Sequence, residues 1–398
     1  MKWLLLSEFL TNVVRGAFTL ALGMILYQVT NSLWSFALVF LSDFVIALLM
    51  QSVAGVLIDK YGAGICMVLI CLANALMFLG FSSLGDGLQG GSNSLIILGV
   101  LFNISRPFLR AGVFALTHQV AGDQRLEKAN GYLAQAFQIG QMIGMATTGA
   151  VLAAYSPQVL WLILGSLFLI ASASYVFIYL EHRQAKKDTA ADDKKPAEKL
   201  GVLTIIKANP LIALTAIIGS SDFIFIAVFN LLLAPVVEIN YASNEIWLTY
   251  LDFSFAIGAI AGGVYISKAK AELGTTTRYT MLSCLSSIAV FICFIYNPPG
   301  AVTLSAIFAF GFFITLSTVV WSTTLQKLSP PEVKGRIGAL KLTVNSVAIA
   351  IASLMISFAS DFGADLAMIA AAVLSSVLLL TLLLLSLKVN TKQWVVDA

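Results

Sequence analysis

The chain has 398 residues, 59% of them hydrophobic and 11% charged, with a mean hydropathy of +0.93. A water-soluble domain of this size could not cover its surface with so few charges, which excludes a soluble protein and indicates a lipid-exposed one. The formal net charge of +3 is scattered and forms no nucleic-acid patch, and four cysteines and two histidines show no metal-ligand spacing. No phosphate-binding Gly-x4-Gly-Lys loop or nucleophile elbow is present, so the sequence does not read as an enzyme.

About 20 apolar residues carry a helix across a bilayer. This ruler predicts spans over 3–27, 34–57, 64–84, 94–116, 131–155 and 158–180. A second set follows over 208–232, 245–267, 277–296, 301–325, 338–359 and 364–388. The first apolar run superficially resembles a signal peptide, but Glu8, Asn12 and Arg15 interrupt it and no Ala-x-Ala site follows. The polar stretch 181–207 predicts a solvated linker between an N-terminal bundle, 1–180, and a C-terminal bundle, 208–398. The fold class expected is therefore an all-α membrane protein of twelve transmembrane helices in two six-helix bundles. Basic residues gather at the N-terminus, after even-numbered spans and at the C-terminus, as at Lys60, Arg125, Lys128, Lys268, Lys327 and Lys388. The opposite loops carry acids such as Glu238, Asp361 and Asp365. This asymmetry places both termini and the linker in the cytoplasm.

Three motifs occur along the chain. After span 2 the sequence reads Gly55-Val56-Leu57-Ile58-Asp59-Lys60-Tyr61-Gly62, where small residues permit close helix approach and Asp59 can pair with a base or a helix N-terminus. Span 5 carries Gly131, Gly140, Gly144 and Gly149, with Met145 and Thr148 between and after them. Before span 11 stands Leu328-Ser329-Pro330-Pro331-Glu332-Val333-Lys334-Gly335-Arg336-Ile337, and before span 5 its counterpart Ala121-Gly122-Asp123-Gln124-Arg125-Leu126-Glu127-Lys128-Ala129-Asn130-Gly131-Tyr132. The first motif resembles the G-x-L-x-D-[RK]-x-G signature of the major facilitator superfamily, although Ala63 and Gly64 replace its trailing basic residues. Span 5 resembles the antiporter pattern G-x8-G-x3-G-P-x2-G-G, departing at Met145 and Thr148. The two loops resemble the macrolide-efflux and enterobactin-exporter branch. The resemblance implies alternating access, with Gly55, Asp59, Lys60, Gly62, Gly140, Gly144, Gly149, Gly335 and Arg336 as gating or conformational residues. Ordinary small-residue packing remains the alternative for span 5.

The resemblance also implies that spans 1, 4, 7 and 10 line a central cavity. Glu8, Asn12 and Arg15 share one face of span 1, and Asn103, Arg106 and Arg110 one face of span 4. Ionisable groups at membrane depth are costly and tend to face a cavity or a partner. The substrate-binding candidates are Asn12, Arg15, Asn103, Arg106, Arg110, Gln138, Ser221 and Trp321, because a guanidinium offers paired donors to a carboxylate. Glu8 pairing with an arginine, and Arg110 snorkelling to headgroups, are the structural alternatives. Asp222, Glu8, Asp43 and Asp252 are the proton-coupling candidates.

Together these features suggest a proton-coupled exporter of a small anionic or amphipathic molecule, a carboxylate siderophore being the favoured cargo. A macrolide or multidrug pump using Phe108, Phe137, Phe223, Phe225 and Trp321 is the alternative, and a metabolite importer a further one. The expected setting is a bacterial inner membrane, as a monomer surrounded by lipid, with no cofactor, metal or nucleic acid and the proton gradient as energy source. Hand-over to an outer-membrane channel is left open.

Overall fold

The computed structural model describes residues 1–30, 33–83, 91–188, 204, 207, 209–242, 246–268 and 275–388. All regular structure among the described residues is helical. The first half of the chain forms α1 (Lys2–Thr30), α2 (Leu33–Tyr61), α3 (Ala63–Ser82), α4 (Ser92–Ala121), α5 (Leu126–Ala154) and α6 (Pro157–Asp188). The second half forms α7 (Pro210–Gly219), α8 (Ser221–Asn240), α9 (Ile246–Lys268), α10 (Thr275–Tyr296), α11 (Gly300–Leu328), α12 (Lys334–Ser360) and α13 (Ala364–Lys388). Short 3-10 turns, Asp123–Arg125 and Pro331–Val333, lead into α5 and α12.

Most helices outlast the apolar windows that predicted them; α12, for example, starts at Lys334 rather than at 338. Hydropathy marks where lipid begins, whereas backbone hydrogen bonding continues into the polar edge. Ten stretches among the described residues are long and apolar enough to cross a membrane, and α2 and α5 are not among the ten. In α5 the polar residues Gln138 and Gln141 lower the hydropathy of the central turns.

The span expected over 208–232 is present as one membrane-length stretch, Pro210–Leu233, with a turn at Ser220 that divides it into α7 and α8. Ser220 Oγ donates to the Ile217 carbonyl at 2.6 Å and Ser221 Oγ to the Ile218 carbonyl at 2.8 Å. Serine hydroxyls that return to the preceding turn bend helices, and Gly219 beside them adds no stiffness. The linker expected over 181–207 begins as a continuation of α6 to Asp188; beyond it, all but 204 and 207 lie outside the described residues.

The chain packs into two compact units. Unit 1 holds Met1–Asp123, Ala136–Asn209 and Ser329–Thr343; unit 2 holds Gln124–Gln135, Pro210–Leu328 and Val344–Ala398. Each unit thus contains a short segment from the other half of the sequence. Unit 1 packs α3 on α6 and α2 on α4 around an aromatic core in which Phe18 lies 4.5 Å from Phe102 and 5.4 Å from Phe78. Unit 2 packs α11 between α9 and α10 around Phe229, whose ring lies 5.5 Å from Phe255 and 5.6 Å from Phe310. Offset and tilted ring pairs of this kind add to simple area burial.

Candidate functional site

The motif after span 2 closes on a partner 276 residues away. Asp59, in the last turn of α2, accepts a hydrogen bond from the Gly335 amide at 2.6 Å, from the Arg336 amide at 3.1 Å and from Arg336 Nε at 2.9 Å. Both amides belong to the first turn of α12, where N–H groups lack intrahelical partners and the helix dipole favours an anion. The charged side chain adds a hydrogen bond of the stronger class. Two glycines make the approach possible. A Cβ on Gly335 would fall 2.6 Å from Asp59 Oδ1 and 2.7 Å from the Gly55 carbonyl, and one on Gly55 would fall 2.8 Å from the Ala339 Cβ. Gly62 has φ 89°, which only glycine adopts freely. Lys60 lies outside this latch: it is exposed, with its ammonium 4.9 Å from the Tyr61 ring centroid. Deeper in unit 1, Thr343 Oγ1 of α12 donates to Gln51 Oε1 of α2 at 2.8 Å, a contact no motif announced.

The glycines of span 5 fall in three settings. Gly140 and Gly144 press on α1: a Cβ on Gly140 would lie 2.6 Å from the Phe9 carbonyl, and one on Gly144 would collide with the Val13 carbonyl. Thr148, four residues further on the same face, donates to the Ala17 carbonyl at 3.3 Å. Gly149 faces open space, because one residue turns the helix by roughly 100° off that line. Gly131 belongs to unit 2, where its Cβ would lie 2.9 Å from Ile266.

Unit 1 also gathers the embedded charges. Arg15 is the fourteenth of 29 residues in α1 and Arg106 the fifteenth of 30 in α4, so both sit at mid-helix. Glu8 is buried two turns below Arg15, in electrostatic range of Arg15 and Arg110, and Arg106 is in range of Arg15 and Arg110. Asn12 Nδ2 donates to the Glu8 carbonyl at 2.7 Å, and Asn103 Nδ2 to Ser42 Oγ at 3.1 Å. Pro107, next to Arg106, removes one backbone donor from the middle of α4. The Arg110 guanidinium lies 4.5 Å from the Phe137 ring centroid, and Gln138 is half-buried on the same helix as that ring. Asp43 lies on α2 with its side chain outside the described residues. Lys341 lies seven residues inside α12, half-buried, with its ammonium 5.8 Å from the Phe114 ring centroid.

Unit 2 holds a different polar group. Asp222, fully buried in the first turn of α8, accepts from Ser283 Oγ at 2.9 Å and from Thr318 Oγ1 at 3.4 Å. Trp321 Nε1 donates to Thr280 Oγ1 at 2.8 Å, and Ser317 Oγ to the same oxygen at 3.2 Å. Ser221 is buried and engaged with its own helix turn. Asp252 is exposed on α9. At the start of α5, Asn130 Nδ2 donates to Thr323 Oγ1 at 2.8 Å and Gln326 Oε1 at 2.7 Å, both on α11. Asn130 lies inside a motif whose glycine and basic residues drew attention, and its own partner was not readable from spacing. Of the aromatics weighed for a drug pocket, Phe225 is buried in the core of unit 2 and Trp321 is held by Thr280.

Ten apolar helical stretches of membrane-crossing length among the described residues, taken with the family match, mark a multi-pass membrane transport protein, not an enzyme. The sequence matches the Major Facilitator Superfamily over residues 4–353, and the chain belongs to that superfamily. No curated protein sequence matches it. Among solved structures it is similar to a bacterial homologue of the iron transporter ferroportin in an outward-facing state, with TM-score 0.75, 17% identity and coverage of 96% of this chain and 98% of that one. It is also similar to the human organic anion transporter MFSD10, with TM-score 0.73, 13% identity and coverage of 96% and 98%. The proton:xylose symporter XylE follows with TM-score 0.71, 12% identity and coverage of 96% and 94%. At these identities the likeness is one of fold.

Proposed function

We propose that this protein is a proton-driven exporter of a small organic anion, with a carboxylate siderophore as the favoured cargo, working by alternating access in a bacterial inner membrane. The observation that carries the anion reading is the unit 1 cluster: Arg15, Arg106 and Arg110 at or near mid-helix, with Glu8 as the acid in electrostatic range. Guanidinium groups held at membrane depth match a carboxylate better than a cationic drug. Transporters of this architecture hold cargo near the bilayer midplane, the depth at which Arg15 and Arg106 lie on their helices. The described likeness to an organic anion transporter agrees with this reading, and the likeness to an iron-transporter homologue fits an iron-linked cargo.

In this reading twelve spans form two six-helix halves with both termini in the cytoplasm. Cargo enters from the cytoplasm and contacts Arg15 and Arg106, assisted by Asn12, Asn103, Arg110 and Gln138. Asp222 carries the coupling proton, with Glu8 as a second titrating acid, and the Asp59 latch closes the cytoplasmic side. The protein acts as a monomer and without a cofactor. The test is mass spectrometry of supernatant and extract from iron-starved cells with and without the gene. Siderophore retained inside the deletion strain supports the reading. Unchanged distribution with raised macrolide susceptibility replaces it by drug efflux. For the coupling step, Asp222→Asn is expected to keep fold and cargo binding but to lose uptake driven by an imposed pH gradient in inverted vesicles.

A further inference from the structure

Helices α1, α3 and α6 of unit 1 meet around one tyrosine. The Trp3 and Phe177 rings stack at 4.7 Å and the Phe18 and Trp161 rings lie 6.0 Å apart, so α1 and α6 run antiparallel, which sets Glu8 level with Ser172. The pair α3 and α6 is antiparallel too: a Cβ on Gly64 would lie 3.4 Å from Tyr179 Cβ, and one on Gly165 2.7 Å from Leu79 Cγ. Ser172 Oγ donates to the Val68 carbonyl at 3.1 Å between these contacts, which brings the buried Cys71 to the same level. Tyr175 stands three residues further along α6, and side chains lean toward the N-terminus of their own helix. Its ring therefore leans back over the roughly 4.5 Å to that level, and Ser7, Glu8 and Cys71 are all in range of its hydroxyl. The hydroxyl is fully buried and makes no hydrogen bond, because the Ser7 hydroxyl beside it donates to the Trp3 carbonyl at 2.8 Å. Among the described residues of unit 1, no other fully buried side-chain nitrogen or oxygen lacks a partner.

A buried hydroxyl without a partner is costly and calls for a role. Glu8 is the acid in its range, and Glu8 is drawn as well by Arg15 of its own helix and by Arg110 of α4. An anionic cargo on Arg110 brings a second carboxylate beside Glu8, and like charges so close repel. Glu8 then needs another donor; the Cys71 thiol is a weak one, whereas a phenol O–H to a carboxylate is a strong, charge-assisted bond. We propose that Tyr175 is the positioning residue that receives Glu8: when a carboxylate occupies Arg110, the Glu8 carboxylate turns to accept the Tyr175 O–H. When the cargo leaves, Glu8 returns to the arginines, and no proton changes hands in the exchange. This rests on the anion-exporter reading and deepens it by naming the residue that clears the guanidinium for cargo.

The test is a double-mutant cycle read as unfolding midpoints of the full-length protein in detergent. In the wild-type background Tyr175→Phe removes an unpartnered hydroxyl and should leave the midpoint unchanged or raise it. Arg110→Gln releases Glu8 as an occupying anion would, and in that background Tyr175→Phe should lower the midpoint by about 2–4 °C. The loss should vanish again when Glu8→Leu is added. The same shift in both backgrounds, or a loss that survives Glu8→Leu, overturns the proposal. A second measurement follows the C–O stretch of Tyr175 in protein labelled with carbon-13 tyrosine, isolated by difference against Tyr175→Phe, with citrate as the carboxylate probe. Citrate should shift the band to that of a phenol donating to a carboxylate, and should leave it unmoved in Glu8→Leu. A shift that persists in Glu8→Leu overturns the proposal, and should Arg110→Gln fail to fold, so does the absence of any citrate shift. Midpoints that invert without a citrate response keep Tyr175 as the second partner of Glu8 and count against the carboxylate cargo. The deletion-strain measurement judges that cargo separately.

Discussion

The two crossed segments of the chain do comparable work with different chemistry. In unit 1, residues 329–343 are held through Asp59, whose carboxylate takes three hydrogen bonds, one of them from the Arg336 side chain. In unit 2, residues 124–135 are held through Asn130, which donates to Thr323 and Gln326 with no charge involved. Glycines set the approach in both places: Gly55 and Gly335 in the first, Gly131 and Gly263 in the second. Close backbone approach is therefore the shared requirement. The polar bond that exploits it is free to be ionic or neutral. A charge-assisted bond is stronger when made and costlier when half of it is removed, whereas an amide–hydroxyl bond is cheaper to open.

That contrast can be broken experimentally. The largest effect is expected from Asp59→Ala, which leaves the two α12 amides and the Arg336 guanidinium without their acceptor. It should lower the stability of the detergent-solubilised protein by about 3 kcal/mol, read as a depressed unfolding midpoint, with transport lost. Next comes Gly144→Ala, whose methyl group meets the Val13 backbone; about 2 kcal/mol of destabilisation is expected by the same assay. Asn130→Ala should cost less, about 1–2 kcal/mol, since it leaves two neutral acceptors that can turn to other partners. Added salt should narrow the gap between Asp59→Ala and wild type while leaving the Asn130→Ala gap unchanged, because only the first is ionic. A midpoint for Asn130→Ala as low as that for Asp59→Ala would refute the distinction between the two. The smallest effect belongs to Gly149→Ala. Nothing lies within 4 Å of its Cβ position, and alanine's better helix propensity should raise stability by a few tenths to about 1 kcal/mol.

Much of the helical layout could be read from local properties. Apolar runs of bilayer length located the helices, because lipid contact leaves a contiguous composition along the chain. The Gly55–Gly62 motif pointed to Asp59 as a pairing acid, and three- and four-residue spacings put Glu8, Asn12 and Arg15 on one face of α1. Those inferences concern residues within a few turns of one another, where geometry is periodic and known in advance. What lay beyond them depended on distant partners. Arg336 as the mate of Asp59, Thr323 and Gln326 as the mates of Asn130, and Ser283 as the donor to Asp222 are separated by 277, 193, 196 and 61 residues.

The same limit governs what local pattern left out. Gly149 completed a sequence pattern, yet the face that meets α1 runs 140, 144, 148, so Thr148 occupies the contact. The span expected over 208–232 is met by one membrane-length stretch, Pro210–Leu233, but the turn at Ser220 inside it was hidden, since hydropathy does not register a serine hydroxyl bonding back to the preceding turn. By itself the sequence determined that this is a helical membrane protein with small-residue contacts and buried charge on particular helix faces, because composition and period are properties of the local chain. Which glycine is pressed and which carboxylate is held were decided only by tertiary packing, because each depends on atoms brought together from far along the chain.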